Sequence, residues 1–200
     1  MKDRILETAC NKFFQLGFSR VTVEEIAREL GISKKTLYEH FASKEELLRE
    51  ILLRMTGEIE IQIDAILQDK HADFVEKLRQ VWAFLASRLS RMGPIFRADL
   101  QRHAPSLWRE VDERRDRIIH TRFRKLFQKG VEHRAFRKEV DPQLLLLIYS
   151  TLIQRIINPE TLSQLPFSAS QAFEAIATVI FEGILTDRAR GKLRARCATL

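Results

Sequence analysis

Lys34, Lys35, Thr36, Tyr38 and His40 crowd into seven residues near the start of the chain, with apolar Leu37 among them and apolar Ile32 just before. On a short helix with Ile32 and Leu37 turned inward, the other five share the outer face. Their ammonium, hydroxyl and imidazole groups suit nucleic acid: lysine donates to guanine acceptors, and a threonine methyl can meet a thymine methyl in the major groove. Catalysis finds no such support. The five histidines, at 40, 71, 103, 120 and 133, keep no ligand spacing with Cys or Glu, and no glycine-rich loop is placed to cradle a phosphate. The reading is therefore of a non-enzyme with no catalytic residue, metal site or cofactor.

Two short helices must hold that face. Thr22-x-x-Glu25 has the form of a capping box that opens a helix, Ile26, Ala27 and Leu30 face inward, and Gly31 ends it. Ala27 is small where the two helices approach, and Gly31 tolerates the positive φ of a tight turn. Ser33 then caps the helix that carries Lys34 to His40, and Ser43-x-x-Glu46 starts a long helix reaching about Leu67. An earlier helix, about 2–16, places Ile5, Leu6, Ala9, Phe13 and Leu16 on one stripe. The pattern from 22 to 41 is a helix-turn-helix whose second helix enters a major groove.

Beyond it, apolar residues recur at three- and four-residue intervals and alternating runs are missing, so the chain reads as all-α with about nine helices. The seventh is expected over 106–129, ending at Gly130. The eighth starts at Asp141-Pro142, and the ninth runs from the Ser168-x-x-Gln171 box to about Arg188. A hydrophobic content of 45% supports a buried core. The first residues do not build a signal peptide, the longest apolar run (Leu144 to Tyr149) is too short to span a bilayer, and Cys10 and Cys197 form no framework. These features predict a cytoplasmic protein with no membrane partner. The net charge of +7 is poor evidence of DNA binding, because residues 1–50 hold nine basic and nine acidic side chains. The excess lies in 97–125 and 188–200.

From Ile5 to Ile51 the sequence resembles the DNA-binding domain of the TetR family of bacterial regulators. The resemblance rests on Ala9, Phe13, Gly17-Phe18, Thr22-Val23, Ile26-Ala27, Gly31-Ile32-Ser33, Thr36-Leu37-Tyr38, His40-Phe41 and Ser43-Lys44-Glu45. It implies that residues 34–40 lie in the major groove and that Thr22, Tyr38, His40 and Lys44 contact phosphates, with Ser33 at the start of the recognition helix. Base readout would fall to Lys34, Lys35 and Thr36. The chain departs from the family at Lys35, where a small residue is common, so other members' base contacts are not carried over to it.

The expected domains are a helix-turn-helix domain over 1–46, a helical effector-binding and dimerisation domain over 47–188, and a flexible basic tail over 189–200. The eighth and ninth helices are apolar around much of their circumference. The resemblance implies that they pair with a second copy through Leu145, Ile148, Leu152, Ile156, Phe173, Ile176, Ile180 and Ile184, with Ala172, Ala177 and Gly183 permitting close approach. A two-fold homodimer would require a palindromic operator on double-stranded DNA. An unknown small-molecule effector would be enclosed by residues drawn from Trp82, Phe84, Phe96, His103, Trp108, Arg115, His120, Arg122 and Tyr149. The two arginines need an acidic ligand or a protein carboxylate such as Asp99. The function so read is a transcriptional repressor released by its effector. The alternatives are a DNA-binding architectural or partner-recruiting factor with no effector, and nucleic-acid binding by the basic tail.

Overall fold

The computed structural model describes residues 1–197, and among them it is helical with no strand. The helices are α1 (Lys2–Leu16), α2 (Val23–Leu30), α3 (Lys34–His40), α4 (Lys44–Gln68), α5 (Phe74–Arg91), α6 (Pro94–His103), α7 (Pro105–Glu132), α8 (Pro142–Ile156), α9 (Pro159–Ser163), α10 (Ala169–Ile184) and α11 (Asp187–Cys197). Eleven described helices replace the nine expected, because Asn158 caps a short α9 that starts at Pro159 and residues 187–197 are helical. No helix among the described residues is long and apolar enough to cross a membrane.

The chain divides into two compact units. The first comprises Met1–Glu58 and Arg91–Arg114, so it adds the start of α4, all of α6 and the start of α7 to the expected 1–46. Hydrophobic burial explains the addition. Phe96 and Leu100 are fully buried with Ile5, Ala9, Phe13, Ile26, Leu37, Leu47 and Leu48, and Ala104 and Leu107 join the same core. Each large apolar side chain so buried contributes about 1.5–3 kcal/mol. The rings of Phe14 and Phe96 lie 4.8 Å apart.

The second unit comprises Ile59–Ser90 and the chain from Arg115 onward. Its core gathers Phe74, Leu78, Phe123, Phe127, Phe136, Tyr149, Phe173, Ile180 and Phe181. Gly130 does not end α7, which continues to Glu132. Its missing side chain serves packing instead: a Cβ there would collide with the ring of Phe136. An isolated antiparallel bridge joins Phe136 and Leu185, with Arg137 N donating to Ile184 O at 2.9 Å and Thr186 N to Ala135 O at 2.8 Å. This pairing stops α10 at Ile184, short of the expected Arg188.

The basic segment is not an extended tail over its described length. In α11, Ala189 and Leu193 are four residues apart and buried in the second unit's core. Arg190 donates to the carbonyls of Glu182 and Leu185, each at 3.1 Å. Residues 198–200 of the predicted tail lie outside the described residues.

Candidate nucleic-acid interface

The helix-turn-helix is built from local bonds that can be followed one by one. Thr22 caps α2 reciprocally with Glu25: Glu25 N donates to Thr22 Oγ1 at 3.2 Å and Thr22 N to Glu25 Oε2 at 2.8 Å. At the other end Gly31 adopts the left-handed conformation, φ 66°, and Ile32 N returns to Ala27 O at 3.0 Å. Two residues later Ser33 caps α3, accepting from Thr36 N at 3.0 Å. Leu37 on α3 is fully buried beside Ile26 and Ala27 in the first unit's core. A seven-residue helix has little stability alone, so this anchor and the cap set its orientation. At the start of α4, Ser43 Oγ accepts from Glu46 N at 3.0 Å, while the Glu46 carboxylate takes the amide of Ala42 at 2.7 Å rather than that of Ser43.

Burying Leu37 leaves Lys34, Lys35, Tyr38 and His40 exposed and Thr36 half-buried. Lys35 has no ion pair among the described residues. Thr36 Oγ1 lies 2.9 Å from Ser33 Oγ. Thr22 and Ser33 use their oxygens as cap acceptors, but each hydroxyl has a proton of its own to donate. Lys44 is half-buried elsewhere on the unit: its ammonium lies 4.4 Å over the Phe18 ring and 3.5 Å from Ser19 O. Burial holds its pKa below the ordinary lysine value despite Glu45, Asp99 and Glu25 nearby.

Sequence reasoning missed two contacts. Glu24, in the first turn of α2, forms an ion pair with Lys34, whose ammonium also lies 5.7 Å over the Tyr38 ring. The hydrogen bond to Lys34 is the main reason the Glu24 carboxyl sits below its ordinary pKa, and its counterpart raises Lys34. Asp99 on α6 accepts from Ser19 N at 2.6 Å and from the Ser19 hydroxyl, fixing the turn before α2. Burial pushes the Asp99 carboxyl up, but the two Ser19 bonds and the charge of His103, 3.7 Å away, outweigh it and leave the pKa lowered. No periodicity links positions 24 and 34, or 19 and 99, so neither contact carried a signal in the sequence.

The nine effector candidates fall in different units. Phe96, His103 and Trp108 belong to the first, where Phe96 is core, Trp108 packs on that core and His103 is exposed. Trp82, Phe84, Arg115, His120, Arg122 and Tyr149 belong to the second. There Tyr149 is buried 5.2 Å from the Phe123 ring, Trp82 lies 4.8 Å from Phe181, and the Arg88 guanidinium sits 5.2 Å over Phe84. Burial raises the Tyr149 pKa well above its usual value. Arg115 is half-buried and His120 exposed. Arg122 is answered by Asp64 at 2.8 Å and Glu60 at 3.6 Å, not by Asp99, which is engaged with Ser19 and His103. A small apolar cavity in the first unit is lined by Arg49, Leu52, Leu53, Thr56, Leu107, Glu110, Val111 and Arg114, none of them a candidate.

In the single chain the expected interface residues divide. Leu145, Phe173, Ile176, Ile180 and Ile184 are buried within the second unit, and Leu152 and Ile156 are half-buried against its core. Ile148 remains outward, and with it Leu144, Leu147 and Val179 form an exposed apolar set, 44% to 74% accessible. α8 and α10 are apolar on two sides, and the chain's own core takes the side that carries most of the expected interface residues. Gly183 is open rather than packed, with no neighbouring atom within 4 Å of where a Cβ would stand.

Two helices crossing at a left-handed turn, the second presenting donors outward, define a helix-turn-helix DNA-binding module. Residues 5–51 match the model of the bacterial regulatory proteins, tetR family. The chain is 24% identical over 190 residues to the HTH-type transcriptional regulator YvaF of Bacillus subtilis, covering 94% of this chain and 97% of that one. It is 26% identical over 165 residues to the nucleoid occlusion factor SlmA of Vibrio atlanticus, covering 80% and 82%. The structure of the TetR-family transcriptional regulator PfmR from Thermus thermophilus is similar with a TM-score of 0.59 at 27% identity, covering 90% and 98%. The chain belongs to the tetR family and is a helix-turn-helix transcriptional regulator, not an enzyme.

Proposed function

We propose that the protein is a cytoplasmic repressor that binds a palindromic operator as a homodimer and is released by a small-molecule effector. The observation that carries the DNA-binding part is the division of α3: Leu37 fully buried, Lys35, Tyr38 and His40 exposed on the other side. In this reading Lys35 and Thr36 meet base edges, and Tyr38, His40, Thr22, Ser33 and Lys44 meet the backbone, where contacts position the helix without reading sequence. The second copy packs against Leu144, Leu147, Ile148 and Val179, and the open backbone at Gly183 gives it room to approach closely. Such a dimer presents two α3 helices to half-sites about one helical turn apart. An effector acts through its different affinity for the operator-matching and non-matching states.

A second reading, a DNA-binding factor with no effector, draws support from Phe96 and Tyr149 being part of packed cores and from Arg122 having protein partners. The relationship to a nucleoid occlusion factor agrees with it. Selection of bound fragments from a random DNA pool by the purified protein, beside a Lys35→Ala/Tyr38→Ala variant, tests the DNA-binding proposal. Enrichment of a palindrome that the variant loses is the expected result; equal enrichment by both would refute it. Release of the enriched duplex by members of a metabolite library then separates the two readings.

A further inference from the structure

Lys34 and Lys35 are adjacent, both exposed and both on the helix proposed to enter the groove, yet their surroundings differ. Lys34 is paired with Glu24 from α2 and lies over the Tyr38 ring; Lys35 has neither contact among the described residues. Glu24 is free for this because Glu25, not Glu24, closes the capping box with Thr22. We infer that Glu24 neutralises Lys34 in place, making Lys34 a residue that positions Tyr38 while Lys35 alone acts as the recognition helix's DNA-facing lysine.

The argument is electrostatic. A lysine lowers the salt tolerance of DNA binding when its uncompensated charge displaces counterions condensed on the phosphates around it, whether or not it also reaches a base edge. Lys34 brings its own carboxylate, so it displaces few unless the pair opens, and opening it costs about what an exposed ion pair contributes. The first fifty residues have no spare charge to offset this, with nine basic and nine acidic side chains. The pair has a structural use in exchange: it ties the first turn of α3 to the first turn of α2, and the lysine held there lies against one face of Tyr38, limiting where the phenol can point.

This inference rests on the helix-turn-helix reading, and its test separates the two. Affinity of the full-length protein for a mixed-sequence duplex is measured between about 50 and 200 mM salt. Lys35→Gln should flatten the dependence of log affinity on log salt by about 0.9 per subunit, whereas Lys34→Gln, which leaves the Glu24 carboxylate unpaired, should weaken binding with a clearly smaller change of slope. Glu24→Gln should free Lys34, steepen the slope by about 0.9 per subunit and tighten binding about two- to fivefold at low salt. In the Glu24→Gln/Lys34→Gln double variant the slope should return to that of the wild type. Glu24→Ala serves as a second variant and should share the steepening, and all three positions are exposed enough to leave melting temperatures close to wild type. Equal flattening by Lys34→Gln and Lys35→Gln, or a steepening that persists without Lys34, overturns the inference while the DNA-binding reading stands. No change with Lys35→Gln, or with Lys35→Ala/Tyr38→Ala, overturns both.

Discussion

Replacing Leu147 and Val179 by Asp should convert the proposed dimer into a folded monomer. Leu144, Leu147, Ile148 and Val179 are 58%, 61%, 44% and 74% exposed in the single chain. Burying an aliphatic side chain fully is worth about 1.5–3 kcal/mol, so covering the exposed half or more of each gives about 1–2 kcal/mol. Two copies bury about eight such side chains, or about 8–16 kcal/mol before the cost of association. The double substitution removes half of that and brings carboxylates together across the two-fold axis, a loss of about 4–8 kcal/mol or roughly a thousandfold and more in dissociation constant. Sedimentation velocity at micromolar protein reads the change, with circular dichroism and thermal melting as checks on the fold. The converse variant is Ile180→Ala, at a position buried in the second unit. It should cost about 2–5 kcal/mol of stability by opening a cavity in the core rather than by losing an interface. A stable dimer of the Leu147→Asp/Val179→Asp variant with an unchanged melting curve would refute the assignment of that face.

Asp99→Asn should lower stability by about 1.5–3 kcal/mol, because an amide can no longer accept both the Ser19 amide and hydroxyl as a carboxylate does. Since the native Asp99 pKa is depressed, its contribution is present above the ordinary carboxylate range and is lost as pH falls through the native value. Thermal melts at neutral and acidic pH should therefore separate wild type from variant at neutrality and converge in acid. Gly130→Ala should destabilise the second unit by at least about 1–3 kcal/mol, since the added methyl collides with the Phe136 ring. A denaturant midpoint equal to that of the wild type would show that α7 shifts freely there.

Features decided by near neighbours were legible without a fold. The capping boxes at Thr22 and Ser168, the left-handed Gly31, the Ser33 cap and the Asp141-Pro142 start all recur in the structure as read. Each depends on residues within one helical turn, so sequence spacing alone specifies the hydrogen bonds. The helix-turn-helix was legible for the same reason, with Leu37 buried and the polar side of α3 exposed.

What residues far apart decide was not legible. An amphipathic period shows that α8 and α10 have apolar sides but not which side meets the chain's own core, and the outward set became Leu144, Leu147, Ile148 and Val179. Composition marks residues 188–197 as basic, yet Ala189 and Leu193 find a core that folds them into α11. Arg122 needed a partner, but only the packed helices chose Asp64 and Glu60 over Asp99. The same holds for Glu24 against Lys34 and Asp99 against Ser19. The chain by itself determined the capped helices of the helix-turn-helix and the chemistry of α3. Tertiary structure decided which charges are already answered and which apolar faces remain open, because both depend on which surfaces other parts of the chain have covered first.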